Sequence, residues 1–363
     1  VDSSHSAEVA EKLARLIALL DQRQLDALIL KKGANIAWAI GGRAHIPTTL
    51  ELACMDLVIT REGIEVVTNK IEAPRLADEE LAGINKLTVI NWFEGRDGQL
   101  PTSNSSLRVG IDGPDPERVN VAAEVELLRS QLNSYEVIRM REIAEDSAAA
   151  LGAAMKEISS KESEVSAAGK IAKELWERDL EPVVLLVAGS ERINRYRHPL
   201  PTSAAIGNFY MGVICARRKG LIASVTRLAS FEKISAERDD WYQRLLAVER
   251  RFINASIPGK KLSEVFEESI AEYLAQGFDR DEWTNHHQGG PTGYLPRDFP
   301  AHSKSDRVIS VNNALAWNPS AKGLKVEDTI ITRVSEGPEV VSVDPKWPGI
   351  PFFERVRPAI LQR

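Results

Sequence analysis

Two stretches decide the reading of this chain: Asn285-His286-His287-Gln288-Gly289-Gly290-Pro291-Thr292-Gly293-Tyr294, and the run from Trp317-Asn318-Pro319 to Val326-Glu327-Asp328-Thr329. Both read as extended, glycine-punctuated segments near the C-terminus. The glycines do not make a phosphate loop, because no Lys-Ser/Thr pair follows them and no helix start is evident. Tight packing of one backbone on another is the simpler reason for Gly289, Gly290 and Gly293. On an extended strand alternate residues share a face, so only one of His286 and His287 is expected to face a common pocket.

Around these stretches the chain is long enough, at 363 residues and 43% hydrophobic, for two domains that each bury a core. The net charge of -6 is spread over both halves and no lysine or arginine block occurs. That excludes an electrostatic footprint for nucleic acid or an anionic membrane, and favours a small molecule or short peptide as partner. Cys54 and Cys215 are the two cysteines, far apart, which suits a reducing cytoplasm better than a disulfide framework. No apolar run reaches membrane-spanning length, and Val1-Asp2-Ser3-Ser4-His5-Ser6 lacks the regions of a secretory signal, so the expected location is cytoplasmic.

The first third alternates patterns. Val9, Leu13, Leu16, Ile17 and Leu20 recur at helical spacing, and Ala27-Leu28-Ile29-Leu30 reads as a buried strand entering a loop at Lys31 to Asn35. The runs 55–60 and 64–68 flank Arg61-Glu62-Gly63 as a hairpin, and further strands are expected at 87–92 and 107–111. This predicts an N-terminal α/β domain over 1–134. The second domain, 135–363, is predicted to open with a charged helix to about Ile158 and a second helix started by a capping box in Ser159-Ser160-Lys161-Glu162. Strands at 182–188, 207–216 and 220–228 and helices at 237–254 and 262–276 follow, the last stopped by Gly277.

In this order, Glu136-Val137-Ile138-Arg139-Met140-Arg141, His198, Val225-Thr226-Arg227, the segment His286 to Tyr294 and Val326-Glu327-Asp328-Thr329 resemble the creatinase, prolidase and aminopeptidase P superfamily. The resemblance covers most of the chain and implies an α+β fold, with a creatinase-like N-terminal α/β domain and a C-terminal pita-bread domain. In the superfamily's peptidases that domain holds two metal ions. Carried over position by position, the resemblance puts the ligand aspartates at Val213 and Ser224, the ligand histidine at Gly290, and the ligand glutamate before proline at Asn318. Only the last ligand position keeps its carboxylate, as Glu327. No metal and no other cofactor is therefore expected. Sliding the strand register cannot recover the aspartates, since no Asp or Glu occurs from Ala204 to Ser230.

The resemblance also implies site residues. His198 and His286 fall where the superfamily places active-site histidines that are not ligands, and creatinase within it cleaves a C–N bond without metal through a histidine. His198, His286 and Glu327 are thus the catalytic candidates, His198 as general acid or base. Arg297 is the candidate clamp for a substrate carboxylate, with Asn318, Ser224 and Tyr294 beside it. Strand alternation adds Val213, Cys215, Thr226 and Gly290 to the pocket lining, with Cys215 read as a small core residue. Arg43 and His45 sit in the N-domain loop that in creatinase reaches the partner subunit, which implies a homodimer.

Three readings stand. The leading one is a metal-independent hydrolase or lyase acting on a C–N bond of a small amino-acid-like substrate. The second is a non-catalytic binding relative of the Xaa-Pro peptidases, and the third an Xaa-Pro aminopeptidase or dipeptidase whose metal site lies on other residues.

Overall fold

The computed structural model describes residues 3–46, 49–84, 86–104, 106–334 and 337–363. The chain divides into two compact units, Val1–Ser130 and Gln131–Arg363. The division falls slightly before the expected boundary after residue 134, because Gln131 bridges to Asn313 and the Leu132 amide donates to the Asn312 carbonyl, tying both residues to the second unit.

The first unit holds α1 (Ser3–Arg23), β1 (Ala27–Lys32), α2 (Gly33–Ile40), β2 (Leu52–Thr60), β3 (Gly63–Asn69), α3 (Ala73–Glu79), β4 (Lys86–Ile90), β5 (Val109–Ile111), β6 (Val119–Asn120) and α4 (Ala122–Ser130). Its sheet runs β4-β3-β2-β1-β5-β6 and is mixed: β1, β2 and β3 pair antiparallel, whereas β5 joins β1 in parallel. The hairpin expected around Arg61-Glu62-Gly63 forms in the register Thr60 opposite Gly63. The loop expected at Lys31 to Asn35 does not: β1 continues to Lys32 and α2 begins at Gly33. Its run Ile36-Ala37-Trp38-Ala39-Ile40 is buried on every side. A helix without a polar face shows no helical period in its sequence.

The second unit opens with α5 (Ser134–Glu157) and α6 (Glu164–Trp176). Asn133 caps α5 with a full capping box: its side chain accepts from the Glu136 amide at 2.9 Å while Glu136 accepts from the Asn133 amide at 2.9 Å. The cap expected at Ser159 belongs instead to Ser163, which accepts from the Ser166 amide, and the Ser159–Glu162 pair closes a turn just before the helix. Next come β7 (Glu181–Gly189), β8 (Phe209–Arg218) and β9 (Leu221–Ser230), an antiparallel meander. α7 (Ala236–Ala255) and α8 (Leu262–Ala275) follow, with Gly277 at φ 83° taking the chain out of α8.

The C-terminal part supplies β10 (Gly289–Thr292), β11 (Ala314–Trp317), β12 (Ser320–Ala321), β13 (Leu324–Lys325), β14 (Asp328–Ile331), β15 (Glu339–Val340), β16 (Gly349–Phe352), β17 (Arg355–Pro358) and β18 (Leu361–Gln362). Two four-stranded sheets result, β18-β9-β8-β7 and β10-β11-β14-β15. One face of β8, carrying Phe209, Met211 and Val213, shares a core with Trp317, Val326 and Ile330 and with α7 and α8. On the other face the backbone at Gly212 meets Leu151, Met155 and Ile171 of α5 and α6. The sheets are thus joined through a core beneath helices, and an isolated bridge between Thr226 and Glu327 stitches β9 to the entry of β14. Among the described residues no helix is long and apolar enough to cross a membrane.

Candidate active site

Glu327 is the centre of one group. It is 1% exposed, yet its carboxylate is fully engaged. Oε1 accepts from Arg297 Nη2 at 2.7 Å and from Asn318 Nδ2 at 3.4 Å, and Oε2 accepts from Thr226 Oγ1 at 2.7 Å and lies 3.1 Å from Lys325 Nζ. Burial pushes this carboxyl up, but Lys325 and Arg297 outweigh burial and hold its pKa down at about 2. Lys325 itself is 4% exposed. Two fixed cations therefore stand against this one carboxylate.

The local sequence explains the arrangement. Lys325 and Glu327 are two apart on extended chain, so both project to the same side. The Lys322-Gly323 turn between β12 and β13, with Gly323 at φ 75°, returns the strand so that Lys325 pairs with Ser320 and follows Asn318 around the same corner. Behind this corner Asp328 points the opposite way into a buried network: it accepts from Arg227 at 3.0 Å and from Arg357 at 2.6 Å, and Arg357 also binds Glu249. That network anchors the backbone carrying Glu327.

Arg297 was expected to clamp a substrate carboxylate. The carboxylate it holds is that of Glu327, and its other Nη donates to Ser224 Oγ at 3.1 Å and to the Pro296 carbonyl. Ser224 in turn donates to Cys215 Sγ at 3.3 Å. Burial, then the Glu327 charge, push the Cys215 thiol up, so it stays protonated. Tyr294, also expected to bind substrate, is buried and gives its hydroxyl to Glu136 at 2.6 Å, bracing the start of α5.

Histidines form the second group. His198 Nε2 and His286 Nε2 are 2.8 Å apart, one donating and the other accepting. His286 and His287 stack at 4.4 Å between ring centroids, and His198 also lies 5.6 Å from the His287 ring. The expectation that only one of the adjacent histidines faces the pocket is corrected here. Residues 282–285 form a 3-10 turn and β10 starts only at Gly289, so strand alternation does not apply to 286 and 287.

Burial, then Lys325, lower His286 to about 2; burial, then Arg297, lower His287 to about 4; burial and Lys325 also lower His198. At neutral pH all three imidazoles are uncharged.

Several residues that hold these groups escaped the sequence reading. Lys325 carried a signal, its spacing of two from Glu327. Arg197 did not: it bridges the His198 loop to the turn before His286 through Glu282 at 2.5 Å, a pairing remote in sequence. Gln288 fixes His286 by donating to its carbonyl at 2.7 Å while accepting from Tyr273 Oη at 2.8 Å. Arg43 and His45 belong to the first unit, where Arg43 is ion-paired with Glu79 and Glu80 and His45 lies against Gly33.

The donor set does not fit two metal ions. Val213 has no donor and sits in the core. Gly290 has none either, and a Cβ there would meet the Phe299 carbonyl oxygen at 2.7 Å, so the strand has closed over the place of the expected histidine. Asn318 offers only a neutral amide, and Glu327 is already neutralised by Lys325 and Arg297.

A pair of sheets joined under helices, with polar residues gathered on the inner strands, is the pita-bread architecture of an α+β two-domain hydrolase fold. Residues 138–333 match metallopeptidase family M24, more than half of the chain, and the chain belongs to that family. It is 21% identical over 347 residues to the Xaa-Pro dipeptidase of Pyrococcus horikoshii, covering 88% of this chain and 94% of that protein. Among solved structures it is similar to the prolidase from Pyrococcus horikoshii, with a TM-score of 0.78 at 17% identity over 92% of this chain and 98% of that one. The Xaa-Pro dipeptidase from Bacillus anthracis gives a TM-score of 0.75 at 18% identity over 93% and 98%.

Proposed function

We propose that this family member hydrolyses a C–N bond of a small amino-acid-like substrate or short peptide with protein groups in place of the two metal ions. The observation that carries the reading is the buried group Lys325–Glu327–Arg297 beside three neutral histidines. Lys325 and Arg297 against Glu327 leave one net positive charge fixed in a low-dielectric corner. Such a charge favours an anionic substrate group or an oxyanion developing on a carbonyl. Neutral His198, the exposed member of the cluster, takes a proton from the water that adds to the carbonyl carbon. It returns that proton to the leaving nitrogen as the C–N bond breaks. His286 shares the proton at the Nε2–Nε2 contact and orients the ring.

The test is amine release from a panel of dipeptides, Xaa-Pro peptides included, with a chelator present throughout. The expected result is chelator-resistant turnover, lowered about 100-fold or more in His198→Ala. Turnover that appears only with added manganese, zinc or cobalt would replace this reading by an Xaa-Pro peptidase using metal.

A second reading, a protein that binds such a molecule and returns it unaltered, is favoured by one observation: every oxygen of Glu327 is already paired, leaving no carboxylate free to act as base. A ligand recovered intact after prolonged incubation would select it.

A further inference from the structure

The metal-ligating side chains outside the inherited ligand positions converge at one place only among the described residues. His198, His286 and His287 each bring a nitrogen to a point where all three lie within 4.8 Å of one another. We propose that these imidazoles form a site for a single borderline transition-metal ion, zinc the best fit, and that its occupancy blocks the site.

The geometry supports this in three ways. Three histidine nitrogens and one open position are a recurrent set for zinc, with bonds of about 2.0–2.1 Å, hence edges of about 3.3 Å between ligand atoms. The His198–His286 separation of 2.8 Å and the 4.8 Å limit bracket that edge. His198 rides on an exposed loop, so a side-chain rotation adjusts it without disturbing the sheets. Second, Nδ1 of His286 and Nδ1 of His287 are buried without a hydrogen-bond partner, and His286 as a whole is only 8% exposed. Buried polar atoms without partners are rare, and neither ring is pinned at Nδ1, so each can turn to present a nitrogen to an ion. Third, the donor chemistry selects the ion. Neutral nitrogen donors suit zinc, cobalt, nickel or copper(II), and do not suit magnesium or calcium, which require oxygen. Lys325 and Arg297 repel a dication, so binding is expected to be moderate and to weaken with falling pH as protons compete for the imidazoles.

The site differs from the inherited two-ion position, whose surviving carboxylate belongs to Glu327. Its consequence is inhibitory: a lone pair given to zinc is one that His198 no longer has for a proton. Binding itself does not rest on the hydrolytic reading.

Cobalt(II) is the probe, because a tetrahedral nitrogen site gives it a strong visible band, whereas the octahedral aqueous ion absorbs only weakly. Titration of the purified full chain is expected to develop this band to one equivalent, with zinc discharging it. His198→Gln, on an exposed loop and so the variant least able to disturb folding, should weaken cobalt binding at least tenfold, and His286→Ala and His287→Ala likewise. His302→Ala, a surface histidine outside the cluster, should leave the band unchanged. No band above the buffer blank, or a band unaltered by His198→Gln, overturns the proposal. A band without turnover of any substrate sinks the hydrolytic reading and leaves the ion site standing; chelator-resistant turnover without a band does the reverse.

Discussion

The Glu327 group and the histidine group lie beside each other and are built on opposite terms. Around Glu327 a hydroxyl, an amide, an ammonium and a guanidinium converge on one carboxylate, and both of its oxygens are satisfied. Around His286 the buried ring has one partner, another histidine, and its second nitrogen has none. A saturated buried ion cluster is a fixed source of field, whereas an unsaturated one is where a proton, an ion or a ligand has something to gain. On the proposed reading, Glu327 supplies electrostatics and the histidines supply exchange chemistry.

The largest expected effect comes from unbalancing the saturated group. Glu327→Gln leaves Lys325 and Arg297 facing each other without a counter-charge. A loss of about 3–5 kcal/mol of stability is expected in urea unfolding, since stranding buried charge costs more than the pair contributes. A loss below about 1 kcal/mol would mean that water reaches this corner and that its field is weak.

An attempt to rebuild the inherited ligand at Gly290 is expected to cost less, and still to fail. Gly290→His places a Cβ 2.7 Å from the Phe299 carbonyl oxygen at φ 150°. About 1–3 kcal/mol of destabilisation is expected, with no gain in metal bound by elemental analysis of the purified variant. A stable variant that acquires tightly held metal would show that the strand yields and that this corner still accepts an ion.

The smallest effect sharpens the histidine side. His286 and His287 have native pKa values near 2 and 4 against 6.5 when unfolded. Above pH 6.5 they are neutral in both states and stability does not depend on them. As pH falls from 6.5 towards 4, the unfolded chain takes up protons that the native chain refuses, so stability declines. The slope is at most about 1.4 kcal/mol per pH unit for each histidine, smaller where water reaches the ring. Glu327 acts later: its stabilisation is complete above 4.5 and is lost as pH falls towards 2. Urea unfolding at pH 7, 6 and 5 should show the decline, and His286→Asn should flatten it. Equal slopes in the two proteins would mean that His286 is hydrated.

Much of the scaffold was legible because its signals are local. The Arg61-Glu62-Gly63 hairpin, the Asn133 start of α5 and the Gly277 stop of α8 each depend on a few neighbouring residues. The α2 helix was hidden because full burial removes the polar face that reveals a period. At the site, that Val213 and Gly290 offer no side-chain donor could be read from residue type alone. The pairing of adjacent histidines with His198 could not, because it depends on a 3-10 turn held by Glu282 and Arg197.

By itself the sequence determined the order of elements, since helix caps, turn glycines and side-chain chemistry act over a few residues, and its resemblance to a known superfamily implied the α+β class and the ligand positions at which Val213 and Gly290 offer no donor. Only the tertiary structure decided that Lys325 and Arg297 neutralise Glu327, that Tyr294 braces Glu136, and that three histidines converge. Apart from Lys325, two residues from Glu327, those outcomes depend on distances between residues up to 158 positions apart, set by how the sheets and loops of the second unit pack, and no local pattern encodes them.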